Sequence, residues 1–387
     1  MKKIIAVHLL NDFSGSPFVF GQALQALQQR GAHVTLYTAT PTGEGFLSGL
    51  AGVQMRPISY RHSQRKWLTL LWFVWAQWQL FWRLLWQLRS TDEVYINTLL
   101  PMGAALAARL RGCRVVYHIH EVSIQPAALR QLLTAAARAT ANKVVFVSQY
   151  VASQFSFESA DTEVLYNALD PAFARQASRI SSPNMQVPFV VLMLCSLKAY
   201  KGVYTMLELA RRLPAIRFDM VLNCSKAEAD AFASRQRMPA NLHLYSVTKN
   251  TLPHYQRAHL VVNLSHPDKW VETFGLTLLE GMACGRPVIA PPAGGPLDVV
   301  THGMEGYCID ARDLDALVEG VEDLYSDFRK YIRFADNARR KANSFSADRF
   351  AADIAAVFGL YASVAASPDL GTAVHNLEME ILDRSLN

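Results

Sequence analysis

Within residues 266–296, HPDKWVETFGLTLLEGMACGRPVIAPPAGGP, two carboxylates, Glu272 and Glu280, stand eight residues apart around a small-residue, apolar segment. Leu276 to Cys284 has the apolar density of a packed helix, Gly275 stands where its N-terminus falls, and Gly285-Arg-Pro stops it before the apolar run Val288-Ile-Ala. A helix start carries unpaired N–H groups and about half a positive charge, so the backbone of Phe274, Gly275 and Leu276 suits a phosphate or diphosphate, with Gly275 allowing close approach. Eight residues at about 1.5 Å each set the carboxylates on the order of 10 Å apart, enough for one to reach a sugar and the other a ribose across a diphosphate. A nucleotide-sugar has that shape. Taken alone, the two glutamates also fit a plainer reading, one complementing a helix N-terminus and the other solvated on the helix.

Glu272, Glu280, Gly285-Arg-Pro-Val-Ile and Gly294-Gly-Pro together resemble the C-terminal donor-site signature of the retaining GT-B glycosyltransferases of family 4. The resemblance covers about residues 1–360 and is strongest over 190–310. It implies sugar transfer from a nucleoside diphosphate to an acceptor held by the N-terminal domain, with no metal ion and no cofactor. On the donor side it implies that Glu272 holds sugar hydroxyls, that Glu280 binds the ribose, and that Thr273, Phe274, Gly275, Leu276 and Thr277 belong to the binding segment. Ser196-Leu-Lys-Ala-Tyr-Lys201-Gly is similar to the family loop in which a Lys-Gly pair opens a helix, which gives Lys201 to the diphosphate. Cys195-Ser196 replace the usual Gly-Arg there, and Lys198 is the candidate substitute for the missing arginine. On the acceptor side, His120 matches the family histidine that precedes an acidic residue, and is expected to bind the transferred sugar and developing charge. Ser14, Gly15 and Ser16 occupy the place of the first glycine-rich loop, facing the acceptor and the leaving phosphate, with one glycine where two are usual. Asn167-Ala-Leu-Asp170 resembles the Asn-Gly-Val-Asp stretch that closes the first domain, a structural role.

In Tyr117-His-Ile-His-Glu121, His118 and His120 are two residues apart on a strand and share a face, with Glu121 on the other. A metal site would need a third ligand, and the sequence offers none nearby. The five cysteines are scattered without a C-x-x-C pair, which argues against zinc and disulfides and for a reducing compartment. The net charge of +6 comes without a Lys/Arg block, so it suits a phosphorylated ligand or an anionic membrane and excludes a nucleic-acid partner.

The elements that must position these residues form two series. The run MKKIIAVHLL breaks at Asn11-Asp12 without a cleavage site and reads as a first strand, and a cytoplasmic chain is the expectation. Apolar runs at 2–9, 33–37, 93–96, 114–119, 143–147 and 162–165, then at 189–194, 217–222, 242–245, 260–264, 288–290 and 306–309, alternate with helical stretches, as in doubly wound parallel sheets. The expected fold is α/β of the GT-B kind, two Rossmann-like domains facing a cleft. Residues 1–180 form the acceptor domain, 181–345 the donor domain, with a polar linker at 175–188, and 346–387 a helix returning to the first domain plus a tail.

Six of the seven tryptophans lie in one helix, about 66–89. At about 100° per residue Trp67, Trp75, Trp78, Trp82 and Trp86 share one arc; Phe73, Val74, Leu80, Phe81 and Leu84 share another, with Gln79, Arg83 and Gln87 between. The aliphatic face suits the sheet. The indoles and the preceding Arg56, Arg61, Arg65 and Lys66 suit an anionic membrane surface, each cation adding about 1 kcal/mol near the lipid. A protein interface, plain core and a membrane span compete, although a span would put Arg83 in hydrocarbon.

The expected activity is retaining transfer to a glycan or lipid-linked acceptor in cell-surface polysaccharide, lipopolysaccharide or glycolipid synthesis, by a protein peripheral on the inner face of the membrane. A nucleotide-sugar epimerase on the same fold, an inactive nucleotide-sugar-binding scaffold at the membrane, and a glycosidase, whose carboxylates flank one bond, are the alternatives.

Overall fold

The computed structural model describes residues 2–41, 43–63, 65–181, 188–248 and 250–361; part of the polar linker and the tail from 362 lie outside them. Seven strands build the first sheet: β1 Lys3–Leu10, β2 His33–Ala39, β3 Val53–Pro57, β4 Glu93–Asn97, β5 Arg114–Ile119, β6 Lys143–Phe146 and β7 Asp161–Val164. Their order is β3-β2-β1-β4-β5-β6-β7, all parallel. The second sheet holds β8 Val190–Cys195, β9 Arg217–Leu222, β10 Leu242–Tyr245, β11 Leu260–Val262, β12 Val288–Ala290 and β13 Gly306–Cys308. It is also parallel, in the order β10-β9-β8-β11-β12-β13. Helices cover both faces, so central strands such as β1, Lys-Ile-Ile-Ala-Val-His-Leu-Leu, bury consecutive side chains without alternation. In each sheet the order reverses beside the first strand, at β1/β4 and β8/β11, which opens a crevice at the carboxyl ends.

One strand has no counterpart in the sequence reading. β3 lies at an edge, its side chains are mostly exposed, and Val-Gln-Met-Arg-Pro offers no apolar run.

The helix Ala347–Val357 lies along the first helix, Gly15–Gln29, and its Phe350 and Ile354 share a core with Ile4, Phe20 and Tyr95 of the first domain. Lys2 donates to the carbonyl of Phe358. The two domains also meet directly, where the Asp298 carboxylate accepts from the Gln149 amide at 2.7 Å.

The Trp-rich helix spans Lys66–Gln87 and buries Phe73, Ala76, Gln77, Leu80 and Leu84. Trp67, Trp75, Trp78, Trp82 and Trp86 are 42% to 81% exposed. Val74 does not join the sheet-facing side: it is 57% exposed, because it stands only about 20° around the helix from Trp67. Leu70 and Leu71 are exposed as well, which widens the outward apolar stripe. The polar residues between the faces latch the helix to the sheet edge. Gln79 accepts from the Ser59 amide at 2.9 Å, Arg83 donates to the Pro57 carbonyl at 2.9 Å, and Gln87 accepts from Tyr37. Among the described residues no helix is long and apolar enough to cross a membrane.

Candidate active site

The loop after β11 delivers Glu272. Ser265 and Lys201 both bind it, Ser265 Oγ donating to Oε1 at 2.9 Å and Lys201 Nζ forming an ion pair with the same oxygen. Lys201 reaches that point because Gly202, at φ 77°, starts the helix Val203–Arg212, and a Cβ on it would meet the Leu264 carbonyl at 2.2 Å. Trp270 stacks on Tyr200 with centroids 5.4 Å apart, and the Lys201 ammonium lies 5.2 Å from the Trp270 centroid, within cation–π reach. Lys198, the candidate substitute for the missing arginine, is exposed, and its charge is felt by Glu228.

Behind this loop stand the two glycines of Gly294-Gly-Pro. A Cβ on Gly294 would lie 2.3 Å from the Glu272 carbonyl, and one on Gly295 2.0 Å from that of Thr273. The Gly295 amide also donates to the Glu272 carbonyl at 2.9 Å. The sequence needs glycine here because backbone rests on backbone.

Gly275, at φ 104°, is the N-cap of the helix Leu276–Ala283, and no side chain among the described residues caps it. One turn further along, Glu280 accepts from the Tyr255 hydroxyl at 2.6 Å. Burial pushes the Glu280 carboxyl up to about 7, helped by the charge of Asp170 and opposed by the Tyr255 hydrogen bond. A carboxyl poised there is protonated or charged within the physiological range.

Across the cleft, the helix Gly15–Gln29 begins so close that a Cβ on Gly15 would meet Leu276 Cδ1 at 3.9 Å. The Ser14 amide and hydroxyl both turn to Asp12, the amide at 2.9 Å, and Ser16 offers its carbonyl to Asn97 Nδ2 at 3.3 Å. Ser14, Gly15 and Ser16 thus border the start of the helix Leu276–Ala283.

The carboxyl ends of β1, β4 and β5 bring a buried imidazole group together. His118 and His120 share a face, with ring centroids 4.3 Å apart; Tyr95 meets His118 Nδ1 at 2.8 Å and Asn97 meets His8 Nδ1 at 2.9 Å. Burial lowers His8 to about 4 and His118 to about 3, and holds His120 well below its usual range, so all three are neutral at pH 7. His120 Nε2 is buried without a partner among the described residues, a state that favours a ligand hydroxyl. Glu121 points away, accepts from the Leu99 amide at 2.8 Å, and is raised by burial to about 7. Thr98 between them holds φ at 69°, rare for a β-branched residue and a frequent mark of functional backbone. Among the described residues no group of three His, Cys, Asp or Glu is placed to hold a metal ion.

Two family models divide the chain between them, "Glycosyltransferase Family 4" over residues 14–173 and "Glycosyl transferases group 1" over 175–341. The chain belongs to the family 4 glycosyltransferases. A D-inositol 3-phosphate glycosyltransferase of Paenarthrobacter aurescens is 26% identical over 239 residues, 58% of this chain and 57% of the relative. A sucrose synthase of Acidithiobacillus caldus is 35% identical over 98 residues, 23% of this chain and 12% of the relative, so the matches span only part of these curated proteins. Among solved structures, Anabaena HepE in complex with UDP and glucose superposes with a TM-score of 0.73 at 20% identity, covering 92% of this chain and 99% of that one. That likeness establishes the GT-B architecture.

In this family 4 chain the sequence reading missed Ser265, Tyr255, His8, Asn97 and Thr98. Ser265 sits just outside the segment 266–296, Tyr255 lies on the helix Leu252–Arg257 that precedes it, and His8 and Asn97, with Thr98 next to it, belong to strands that only the strand order joins.

Proposed function

We propose that the protein is a retaining glycosyltransferase that moves a sugar from a nucleoside-diphosphate sugar to a lipid-linked glycan acceptor, without a metal ion. The carrying observation is the alignment along one loop and helix of Glu272, bound to Lys201 and Ser265, an uncapped helix start, and Glu280 bound by Tyr255. That series matches sugar, diphosphate and ribose in order. Lys201 and the helix amides take the charge of the leaving diphosphate, which is the part a divalent ion plays elsewhere. Glu272 holds sugar hydroxyls, Glu280 the ribose, and His120, neutral and unpartnered, hydrogen-bonds the transferred sugar near the reacting carbon. Ser14, Gly15 and Ser16 close over the leaving phosphate from the acceptor side.

The exposed tryptophans and the cations before them support a seat on the inner face of an anionic membrane, in cell-surface polysaccharide or glycolipid synthesis. HepE was solved with UDP and with UDP-glucose, which makes uridine nucleotides the first to test. A thermal-shift series with UDP, GDP and dTDP and their sugars tests the donor reading: a nucleotide at 100 times its Kd stabilises by about 2.7 kcal/mol. No shift with any of them overturns it. Turnover in EDTA equal to that in Mg²⁺ is the expected outcome for the metal; activity lost in EDTA and restored by Mg²⁺ or Mn²⁺ contradicts it.

A further inference from the structure

A second recess opens on the carboxyl edge of the first sheet, between the ends of β2 and β3 and the start of the Trp-rich helix. Thr38, Thr40, Ser48, Tyr60, Arg61 and Trp72 are among the residues that enclose its volume of about 550 Å³. That is the size of a small-ligand site.

Its two ends differ in chemistry. At the outer end the exposed Arg61 guanidinium lies 5.9 Å from the Trp72 ring centroid, with no ion pair to a carboxylate among the described residues. A guanidinium held over an indole is oriented by cation–π attraction and keeps its donors for a phosphate. At the inner end the wall is hydroxylic. Thr40 Oγ1 and Ser48 Oγ both accept from Asn11 Nδ2, at 3.2 Å and 3.0 Å, and behind them the Thr38 hydroxyl is buried without a partner among the described residues.

Asn11 ties this recess to the cleft. It follows β1 directly and begins the loop to Ser14 and Gly15, which borders Leu276. The Trp72 wall of the recess comes from the second turn of the Trp-rich helix, which starts at Arg65 and Lys66.

We propose that this recess binds the acceptor as a saccharide carried on a phosphate or diphosphate, with the phosphate at Arg61 and the sugar on Trp72 and the hydroxyl wall. The proposal rests on the transferase reading and names the acceptor chemistry that reading leaves open. An aromatic face takes the apolar side of a sugar ring, threonine and serine take its hydroxyls, and the arginine fork takes the anion.

Isothermal titration calorimetry on the full chain saturated with UDP keeps the donor site filled while the recess is probed. Glucose 1-phosphate is titrated in one arm and a farnesyl-diphosphate-linked glucose in the other, with free glucose and inorganic phosphate as controls. Both sugar phosphates are expected to bind at least about tenfold more tightly than either control, and Arg61→Gln to weaken them by about tenfold or more. Trp72→Leu is expected to weaken them by about fivefold, with UDP affinity unchanged in both variants. Equal affinity in the two arms upholds the recess with a soluble phosphosugar as its ligand; tighter binding of the farnesyl probe upholds it with a lipid-linked one. Sugar phosphates that ignore the UDP-loaded protein, or bind Arg61→Gln as well as wild type, overturn the proposal. Failure of UDP to bind the wild-type chain counts against the donor reading instead, and the Arg61→Gln comparison on the unloaded chain then decides the recess alone.

Discussion

Glu280 is the residue whose surroundings make the sharpest prediction. Its carboxyl is raised from 4.5 to about 7, burial being the main cause. In its proposed role it accepts from two ribose hydroxyls as a carboxylate; protonated, it keeps less accepting capacity. Nucleotide affinity is therefore expected to rise with pH through about 7, and Glu280→Gln to flatten that profile. Stability runs the other way. The folded protein holds a proton there that the unfolded chain has released, so this group's stabilisation is complete below about 4.5 and fades as pH rises toward 7. Tyr255→Phe removes the hydrogen bond that favours the charged form, and should move the midpoint of the binding profile upward. A midpoint that stays in place in a nucleotide titration across pH 5.5–8.5 would mean that another group sets it. On the proposed reading Glu272 meets the reacting sugar instead, so Glu272→Ala should lower kcat, while Glu280→Ala should raise donor KM.

At the scale of elements, the donor loop is held by a glycine loop of another element. A Cβ on Gly295 would sit 2.0 Å from the Thr273 carbonyl, whereas one on Gly15 would meet Leu276 at an ordinary 3.9 Å. Gly295→Ala must displace the segment carrying Glu272, at a cost of about 1–3 kcal/mol, and should lower both Tm and donor affinity. Gly15→Ala should leave Tm near wild type; a calorimetric Tm equal in the two variants would refute the contrast. The same contrast explains what could be read in the sequence. The donor half was legible because Glu272, the Gly275 cap, Glu280 and the two glycines fall within one short stretch, where spacing along the chain nearly equals spacing in space. His8, Asn97 and His118 sit on three strands adjacent only through the order β1-β4-β5, so no local pattern joins them. β3 was illegible because an edge strand with exposed side chains carries no period. Val74 was misplaced because a helical wheel gives angles and not the width of the contact, which here is narrower than the apolar arc.

At the scale of the molecule, the two sheets turn their carboxyl edges to one cleft, and the Trp-rich helix turns its indoles away from the core. Gln79, Arg83 and Gln87 bind the segment Pro57–Ser59 and Tyr37, so the polar stripe fixes the helix on the domain and leaves its outward face exposed. Trp67, Leu70, Leu71, Val74, Trp75 and Trp78 make that face continuous over its first half, beside the exposed Arg65 and Lys66. An apolar stripe of this width, rich in indole and flanked by cations, fits the headgroup zone of an anionic bilayer. If the reading is right, Trp75→Gln, Trp78→Gln and Trp82→Gln combined should release the protein from vesicles of phosphatidylglycerol and phosphatidylethanolamine. The core is untouched because these side chains are exposed, so Tm should stay near wild type and UDP affinity should not change. Added salt should weaken wild-type binding to the same vesicles, since part of the attraction is between exposed charges and anionic lipid. A triple variant that keeps its Tm and still sediments with the vesicles would assign the tryptophan face to a protein partner.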